Sequence, residues 1–458
     1  MSAVIETTTE HPLRANSALA VGAPGRAIAF DANGSVDLQQ FAREVRGVAA
    51  LLPSARYAVN LCEDRYRFMV GLCAAALRGQ TTLLPPSRAP AVVAEVLVQH
   101  HDSYCLGDAL SDCGNESAPL PAHWSLPEVL PQCDGDPLVI DDDLLIAIGF
   151  TSGSTGRPKP NPKTWLSFRS STAQNLRALD DLLEAGITPL VATVPPQHMY
   201  GMEMSVLLPL LGAVAVHGAR PFFPDDVACA LREAVTPPLL VTTPVHLRAL
   251  VESAVELPPL RGIVSATAPL SRELAFAAEQ RFGCEVRELF GSTETCVIAR
   301  RRTAHETAWT PLPGVRVSPQ PDGTAVHASH LSQPVVLADL MEIHADGRFE
   351  LRGRNADLLE IAGKRASLGD LTRRLLAVPG VRDGVMFQLD PCARTGVARI
   401  AALAVAPALE EAEILAALRE HVDPVFLPRP LRCVEALPRN ETGKLPRDAL
   451  ARMLHGSA

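Results

Sequence analysis

The sequence predicts an α/β fold divided into a large N-terminal domain and a small C-terminal one. Short runs rich in Val, Ile and Leu, most of them followed by Gly or Pro, alternate with segments whose apolar residues recur at helical spacing. That alternation is typical of largely parallel sheets connected by crossover helices. The length of 458 residues is about three times the roughly 150 residues of an average domain. A hydrophobic fraction of 47% and a charged fraction of 20% indicate a folded globular chain.

The elements of the large domain are predicted in chain order. Residues 56–79 predict a strand and then a helix, whereas the acid-rich segment 133–143 predicts a polar surface loop. Further apolar strands are predicted at 144–150, 190–196, 239–244 and 262–269. Helices are predicted at 227–235 and at 271–282, the second with Ser271 as its N-cap.

The pattern changes from Val335 onward, where short alternating strands and turns begin. Asp346-Gly347 is a hairpin signal within 344–354. After it, a compact α+β unit of about a hundred residues is predicted, with a helix in 367–381, a strand at 398–405, a helix at 410–422 and a strand at 431–437. We therefore predict domains at 1–354 and 355–458.

Charge and hydropathy exclude several classes of protein. The net charge is -9 and no long basic run occurs, which argues against a nucleic-acid surface but leaves an isolated anion site open. The longest weakly charged stretch, 204–219, contains Pro209 and His217 and falls short of the roughly 18 apolar residues that a spanning helix needs. The N-terminus has no basic region followed by an apolar one, so no signal peptide and a cytoplasmic location are expected.

The ten cysteines are scattered singly, with no CxxC pair. They are interpreted as reduced, mostly buried side chains, and a catalytic cysteine stays open as the alternative. Lysine is rare: of 42 basic residues only Lys159, Lys163, Lys364 and Lys444 are lysines, so 42 minus 4 leaves 38 arginines. A lysine in such a chain is enriched for sites that need a compact ammonium, although four chance surface residues would look the same.

The strongest chemical signal is the segment from Phe150 to Lys159, FTSGSTGRPK, directly after an apolar strand. Glycines let a backbone approach an anion closely, and successive amides and hydroxyls donate hydrogen bonds to it, which suits polyphosphate. The segment is neither a Walker loop nor the dinucleotide GxGxxG nor the nucleophile elbow GxSxG. A flexible Gly/Ser linker is the alternative interpretation.

This loop resembles the phosphate loop of the adenylate-forming superfamily, which comprises acyl- and aryl-CoA synthetases, luciferases and peptide-synthetase adenylation domains. The resemblance implies ATP-binding roles for Thr151, Ser152, Gly153, Ser154, Thr155, Gly156 and Lys159. The segment LFGSTET at 289–295 resembles the superfamily's aromatic-Gly-x-Thr-Glu motif. It implies Phe290 against adenine, Gly291 beside nucleotide and acyl group, Thr293 near phosphate and Glu294 on Mg²⁺.

Further segments resemble the superfamily in the same order along the chain. Asp339 would hold the ribose hydroxyls, although Leu-Ala stands where Thr-Gly is usual before it, and Arg354 would be a second ribose or phosphate contact. The segment 438–447 resembles the catalytic-lysine loop, in which Lys444 would stabilise the charge that builds at the α-phosphate.

Two more segments imply contacts with the base and the acid. Thr267 and Ala268 in SATAPLS would lie near adenine. His198, Tyr200 and Gly201 in QHMYG would line the acyl pocket, with His198 facing the carboxylate. By itself, His198 is more typical of a satisfied core histidine.

The resemblance also implies the fold and the reaction. The expected fold has parallel and mixed sheets sandwiched by helices, a small barrel-like sheet, and a mobile C-terminal lid. The expected reaction uses ATP and Mg²⁺ to make an acyl-adenylate and then a thioester. The chain looks most like small ligases of aryl-polyene and xanthomonadin-type pigment pathways, which load a hydroxybenzoate-like acid onto an acyl carrier protein; coenzyme A is the alternative acceptor. A non-catalytic nucleotide- or acyl-binding relative and a phosphotransferase remain the other classes.

Besides the Leu-Ala before Asp339, the chain departs from the superfamily pattern at further places. Pro160 stands where glycine is usual, Ala356 occupies the hinge position, and Lys163 and Trp165 have no assigned role.

Overall fold

The computed structural model describes residues 15–108, 123–152, 158–320, 323–354, 358–361, 364–389, 399–440 and 445–455. Its α-helices are α1 Leu38–Leu51, α2 Arg65–Leu77, α3 Pro90–Gln99, α4 Trp165–Ala178, α5 Met199–Met202, α6 Leu208–Leu211, α7 Pro224–Arg232, α8 Pro244–Glu252, α9 Arg272–Phe282, α10 Leu368–Leu376, α11 Glu411–His421 and α12 Arg447–His455. A π-helical turn, Glu203–Leu207, joins α5 to α6.

The strands of the first half are β1 Asn16–Ala18, β2 Ala27–Asp31, β3 Gly34–Asp37, β4 Tyr57–Asn60, β5 Thr81–Leu84, β6 Ser103–Gly107, β7 His123–Ser125, β8 Val139–Asp141, β9 Leu145–Ser152, β10 Pro158–Thr164, β11 Thr188–Ala192, β12 Val214–His217 and β13 Leu239–Thr242. Those of the second half are β14 Gly262–Ser265, β15 Val286–Ser292, β16 Cys296–Arg301, β17 Thr310–Pro311, β18 Arg316–Gln320, β19 Gly323–His327, β20 Val335–Leu337, β21 Asp339–Ile343, β22 Phe349–Arg354, β23 Leu358–Ile361, β24 Lys364–Ser367, β25 Asp383–Gln388, β26 Ile400–Val405 and β27 Leu431–Cys433.

The chain divides into two compact units. Unit 1 consists of Met1–Val241, Ala254–Ile263 and Ser292–Val297, and unit 2 of Thr242–Ser253, Val264–Gly291 and Ile298–Ala458. Unit 1 contains a six-stranded sheet in the order β10-β9-β5-β4-β6-β7. Its strands are parallel except for the edge strand β10, which runs antiparallel to β9. In a further parallel arrangement, β11 lies between β12 and β13, and β12 pairs with β2.

Unit 2 is richer in antiparallel strands. It contains the three-stranded sheet β18-β19-β20, the hairpins β21–β22 and β23–β24, and the sheet β25-β26-β27. In β25-β26-β27, the pair β26–β27 is parallel. The C-terminal part has a core of its own, in which α10 and α11 pack on this sheet through Leu375, Ile414 and Leu418, all fully buried.

The α/β prediction is confirmed, and most predicted elements form close to the expected residues. Ser271 caps α9 because its hydroxyl accepts a hydrogen bond from the Leu274 amide at 3.2 Å. The Asp346-Gly347 hairpin also forms, with Gly347 at φ 85°, a left-handed conformation that glycine adopts without strain.

Two expectations were wrong, and several strands were not foreseen. The segment 133–143 is not only a polar loop, because β8 forms within it, pairs with β1, and buries Leu138 and Ile140 among the flanking acids. The small barrel-like sheet does not close among the described residues: β18-β19-β20 and β21–β22 are separate open sheets. Strand β25 was missed, since its Asp-Gly start reads as a turn.

Candidate active site

The glycine-rich segment connects strand β9 to strand β10, which pair as an antiparallel hairpin. Ser152 pairs with Pro158 and Thr151 with Lys159, so the two strands hold the ends of the loop. The predicted residues Gly153, Ser154, Thr155 and Gly156 lie outside the described residues. Described residues on both sides of the loop therefore belong to a regular sheet.

Strand β10 alternates proline with polar residues. Proline occupies every second position, at Pro158, Pro160 and Pro162. The positions between them are polar: Lys159, Asn161 and Lys163. An edge strand tolerates proline because the amides at every second position have no partner strand. The departure at Pro160 thus suits the edge strand, and the three polar residues point to a common face.

Three segments of unit 1 meet at Gly149 on β9. A Cβ atom at this position would lie 2.9 Å from Thr293 Cγ2 and 3.1 Å from the Met199 methyl group. Only glycine permits this close approach. The structure therefore brings together the phosphate-loop strand, the segment with Thr293 and Glu294, and helix α5 of the predicted acyl pocket.

Glu294 lies beside the phosphate-loop hairpin. Thr151 Oγ1 donates to Glu294 Oε1 over 3.5 Å, a long hydrogen bond, and Asn161 Nδ2 donates to Thr151 Oγ1 over 3.4 Å. The Glu294 side chain is half-buried. Its carboxylate is thus next to one of the hydroxyls predicted to bind phosphate.

The segment Ser292–Val297, which contains Glu294, forms a tight turn. The Ser292 amide donates to Thr295 Oγ1, and the Thr295 amide donates to Ser292 Oγ, each over 3.2 Å. Cys296 has φ 59°, a left-handed conformation that is uncommon for a residue with a side chain. Lys163, 4% exposed, donates through Nζ to the Glu294 main-chain oxygen at 2.8 Å.

A buried carboxyl group supports the other end of this turn. Glu203, 1% exposed at the start of the π-helical turn, accepts the Val297 amide at 3.1 Å and Asn175 Nδ2 at 3.0 Å. Burial raises the pKa of Glu203 to about 7, while these two hydrogen bonds and the charge of Lys163 act in the opposite direction. A π-helical turn inside a helix is often found at a functional site.

The predicted acyl-pocket residues surround the start of α5. The His198 amide donates to the Pro195 carbonyl at 3.2 Å, and the His198 side chain is half-buried. Gly201 lies so close to Pro195 that a Cβ would be 1.9 Å from its carbonyl oxygen. Tyr200 is buried, with 5% exposure.

The predicted adenine residues lie in unit 2. Phe290 is half-buried and packs at 5.4 Å from Trp309 and 6.1 Å from Phe349, measured between ring centroids. Gly291 next to it is exposed.

The loop with Thr267 and Ala268 is also constrained. Thr267 has φ 82°, in the left-handed region, and both residues are half-buried. The buried carboxylate of Glu288 accepts a hydrogen bond from the Leu270 amide at 2.9 Å. It also forms an ion pair with Arg301 at 2.7 Å. Glu288 therefore anchors the loop whose Thr267 is strained.

Asp339 and Arg354 face each other as the terminal register pair of β21 and β22. The spacing of these two residues in the sequence is therefore explained by their pairing across the β21–β22 hairpin. Only the backbone of Arg354 and of Ser152 is described, and Lys444 and Ala356 lie outside the described residues. Lys159 is described and exposed.

Sequence reasoning missed Gly149, Asn161 and Glu203. Glu203 carried a signal in the sequence, because it is the acid next to the weakly charged stretch 204–219.

Trp165 is fully buried at the start of α4, a core position. Burial raises the pKa of the thiols that would be candidates for a catalytic cysteine, which favours their protonated form: Cys62, Cys73, Cys105, Cys284 and Cys296.

Comparison with known proteins defines the class. Residues 48–324 match the AMP-binding enzyme family. The 4-coumarate–CoA ligase of Rhodobacter capsulatus is 33% identical over 303 residues, which cover 65% of this chain and 74% of that protein. The 4-coumarate–CoA ligase of Halorhodospira halophila is 29% identical over 311 residues, covering 64% of this chain and 73% of its own.

A solved structure has the same fold. ATP-bound MatB from Rhodopseudomonas palustris aligns with a TM-score of 0.78 over 95% of this chain and 97% of its own, at 19% identity. At that identity the likeness concerns the fold alone. It agrees with the predicted α/β architecture with a large N-terminal domain.

The chain belongs to the AMP-binding enzyme family, whose match covers more than half of its length. Members of this class activate a carboxylic acid with ATP. The protein is accordingly an AMP-forming acid–thiol ligase. No helix in the part of the chain that the structure describes is long and apolar enough to cross a membrane.

Proposed function

We propose that this enzyme activates an aryl carboxylic acid, of the hydroxybenzoate type, as an acyl-adenylate and transfers the acyl group to the phosphopantetheine thiol of an acyl carrier protein. The observation that carries the proposal is the meeting of three segments at Gly149. There the phosphate-loop hairpin, the Glu294 turn and helix α5 of the acyl pocket are within van der Waals reach of one another. The same site can thus hold a polyphosphate and the acid.

In the first step, the substrate carboxylate attacks the α-phosphorus of ATP, and pyrophosphate leaves. The β9–β10 hairpin holds the ends of the phosphate loop, and Thr151 and Lys159 on paired positions would contact the departing phosphates. His198 would orient the carboxylate from the start of α5. Orientation of both reactants replaces a bimolecular encounter by a bound geometry, which lowers the barrier.

The residues present fit a magnesium ion. The carboxylate of Glu294 and the hydroxyl of Thr151 are hard oxygen ligands at hydrogen-bond distance from each other. One carboxylate together with substrate phosphates is a usual way for a protein to bind Mg²⁺. When bound, Mg²⁺ would neutralise phosphate charge.

In the second step, a thiol attacks the acyl carbonyl and AMP leaves. Coenzyme A and a carrier protein present the same phosphopantetheine thiol. The aryl substrate is supported by the 4-coumarate specificity in the names of two relatives, and those names favour coenzyme A as the alternative acceptor. We further propose a cytoplasmic location, where ATP and both acceptors are available.

Exchange of labelled pyrophosphate into ATP tests the first step. We expect exchange that depends on an added acid, strongest with hydroxybenzoates in a panel with cinnamates and fatty acids. Each active acid is then supplied with holo carrier protein or with coenzyme A, and thioester is measured. The matched variant Glu294→Gln keeps the shape and removes the charge, and should lower exchange at least about tenfold.

Three outcomes would contradict the proposal, in whole or in its choice of acceptor. Binding of ATP without exchange for any acid in the panel would indicate a non-catalytic relative. Transfer of the γ-phosphate to the acid, with ADP as product, would indicate a phosphotransferase. Thioester formation with coenzyme A alone would select the alternative acceptor.

A further inference from the structure

Lys163 is a buried cation that no motif of the sequence explains. Its side chain is 4% exposed, and it is one of only four lysines in a chain with 38 arginines. A buried ammonium is costly unless it is partnered. Its partner is the Glu294 main-chain oxygen, at 2.8 Å from Nζ.

The Lys163 ammonium also lies near two other side chains that carry a titratable group. The charge of the ammonium acts on the neighbouring side chains of Cys296 and Glu203. A single carbonyl acceptor in a confined, buried place suits the compact ammonium better than the planar fork of arginine. This accounts for lysine at a position where the chain's general preference would have placed arginine.

The backbone between these contacts is strained. Cys296 holds φ 59°, and a side-chain-bearing residue persists in this region only where its surroundings fix it. Lys163 binds the carbonyl of Glu294 on one side of Cys296, and Glu203 accepts the amide of Val297 on the other. The two buried side chains, Lys163 and Glu203, thus hold the strained residue from both sides.

Glu203 is itself fixed in place. Asn175 on α4 donates to its Oε1 at 3.0 Å, and the π-helical turn carries it directly after α5. Lys163 lies on β10, just before α4 begins at Trp165. These contacts therefore connect the phosphate-loop hairpin, α4 and the π-helical turn with the Glu294 segment.

We propose that Lys163 and Glu203 are positioning residues that clamp Glu294–Val297 and thereby aim the Glu294 carboxylate at Thr151 and at the metal-bearing polyphosphate. The ligand in this statement rests on the proposed function. The clamp itself rests on the contacts of unit 1. A purely structural role would affect stability without a selective effect on this segment or on the metal.

Three variants test the clamp by two readouts, amide hydrogen exchange and Mn²⁺ binding followed by electron paramagnetic resonance in the presence of ATP. Lys163→Met removes the donor and Glu203→Met removes the acceptor, each with similar length. We expect about tenfold or faster exchange at Thr295–Val297 and about tenfold weaker Mn²⁺ binding in both. Glu203→Gln keeps an acceptor oxygen and should stay within about twofold of the wild type.

Arg169→Met is the matched control. Arg169 lies on α4, and its partners are Asp142 and Ser17, so its loss removes a cation without touching the clamp. We expect wild-type exchange at Thr295–Val297 and wild-type Mn²⁺ binding. If Lys163→Met does not fold, the Glu203→Met and Glu203→Gln pair provides the same comparison.

A folded Lys163→Met variant with wild-type exchange at Thr295–Val297 and unchanged Mn²⁺ binding would overturn the clamp. Failure of the proposed function is distinguishable, because it would appear as a wild-type protein without acid-dependent pyrophosphate exchange. The hydrogen-exchange comparison would still report on the clamp in that case.

Discussion

The buried carboxyl group of Glu203 links stability to pH. Its neighbours in unit 1 donate two hydrogen bonds, yet burial dominates and raises its pKa from 4.5 to about 7. An acid with a raised pKa in the folded protein keeps its proton longer than in the unfolded chain. Its contribution to stability is fully present below pH 4.5 and is lost as the pH rises to about 7.

Replacing Glu203 by Gln should remove this pH dependence. We expect the stability of the wild type relative to Glu203→Gln to fall by on the order of 3 kcal/mol between pH 4.5 and 7. Urea unfolding of both proteins across this pH range measures the difference. A constant difference across the range would show that Glu203 has an ordinary pKa.

At the scale of elements, close backbone approaches set the geometry of the pocket. Gly201 lies within helix α5 and packs against the Pro195 carbonyl, which precedes the helix. In a helix, alanine normally stabilises relative to glycine by about 1 kcal/mol. Here the contact reverses that preference, because an added Cβ would be 1.9 Å from the oxygen.

We therefore expect Gly201→Ala to destabilise the protein by about 1–3 kcal/mol, the usual cost of overpacking. The control is Gly186→Ala, at a position where a Cβ would meet no heavy atom within 4 Å and should change stability by less than about 0.5 kcal/mol. Thermal or urea unfolding compares them. Equal stability of the two variants would contradict the close approach.

At the scale of the whole molecule, the reaction as proposed needs groups from both ends of the sequence. The C-terminal helices α10 and α11 have a core of their own with the sheet β25-β26-β27. The sequence predicts that the domain boundary near 354–355 is a hinge and that Lys444, in the C-terminal domain, enters the site only for adenylation. This boundary and this motion remain predictions.

Lys444→Ala tests the motion through the two half-reactions. Loss of one preorganised charge should lower adenylation by about 10²–10³. Thioester formation from supplied acyl-adenylate should survive, because the lysine is withdrawn in that step. Single-turnover assays of each half-reaction measure both, and an equal loss in the two would contradict the domain rotation.

The sequence by itself determined the fold class, the order of the motifs and a subset of the elements. Apolar runs and helical periodicity are local, so the strand at 144–150 and the capped helix at 271–282 could be predicted from neighbouring residues alone. The family resemblance named Thr151, Glu294 and His198 because motif residues keep their order and spacing along the chain.

Only the tertiary structure decided which of these residues meet and what supports them. Gly149 is one glycine of 30 in the sequence, and its close contacts with Thr293 and Met199 come from distant segments. Likewise, no local sequence pattern predicts the contact of Lys163 with Glu294, 131 residues away, or that of Glu203 with Val297, 94 residues away. Burial creates these roles, since a charge excluded from water must find its partners wherever the fold brings them.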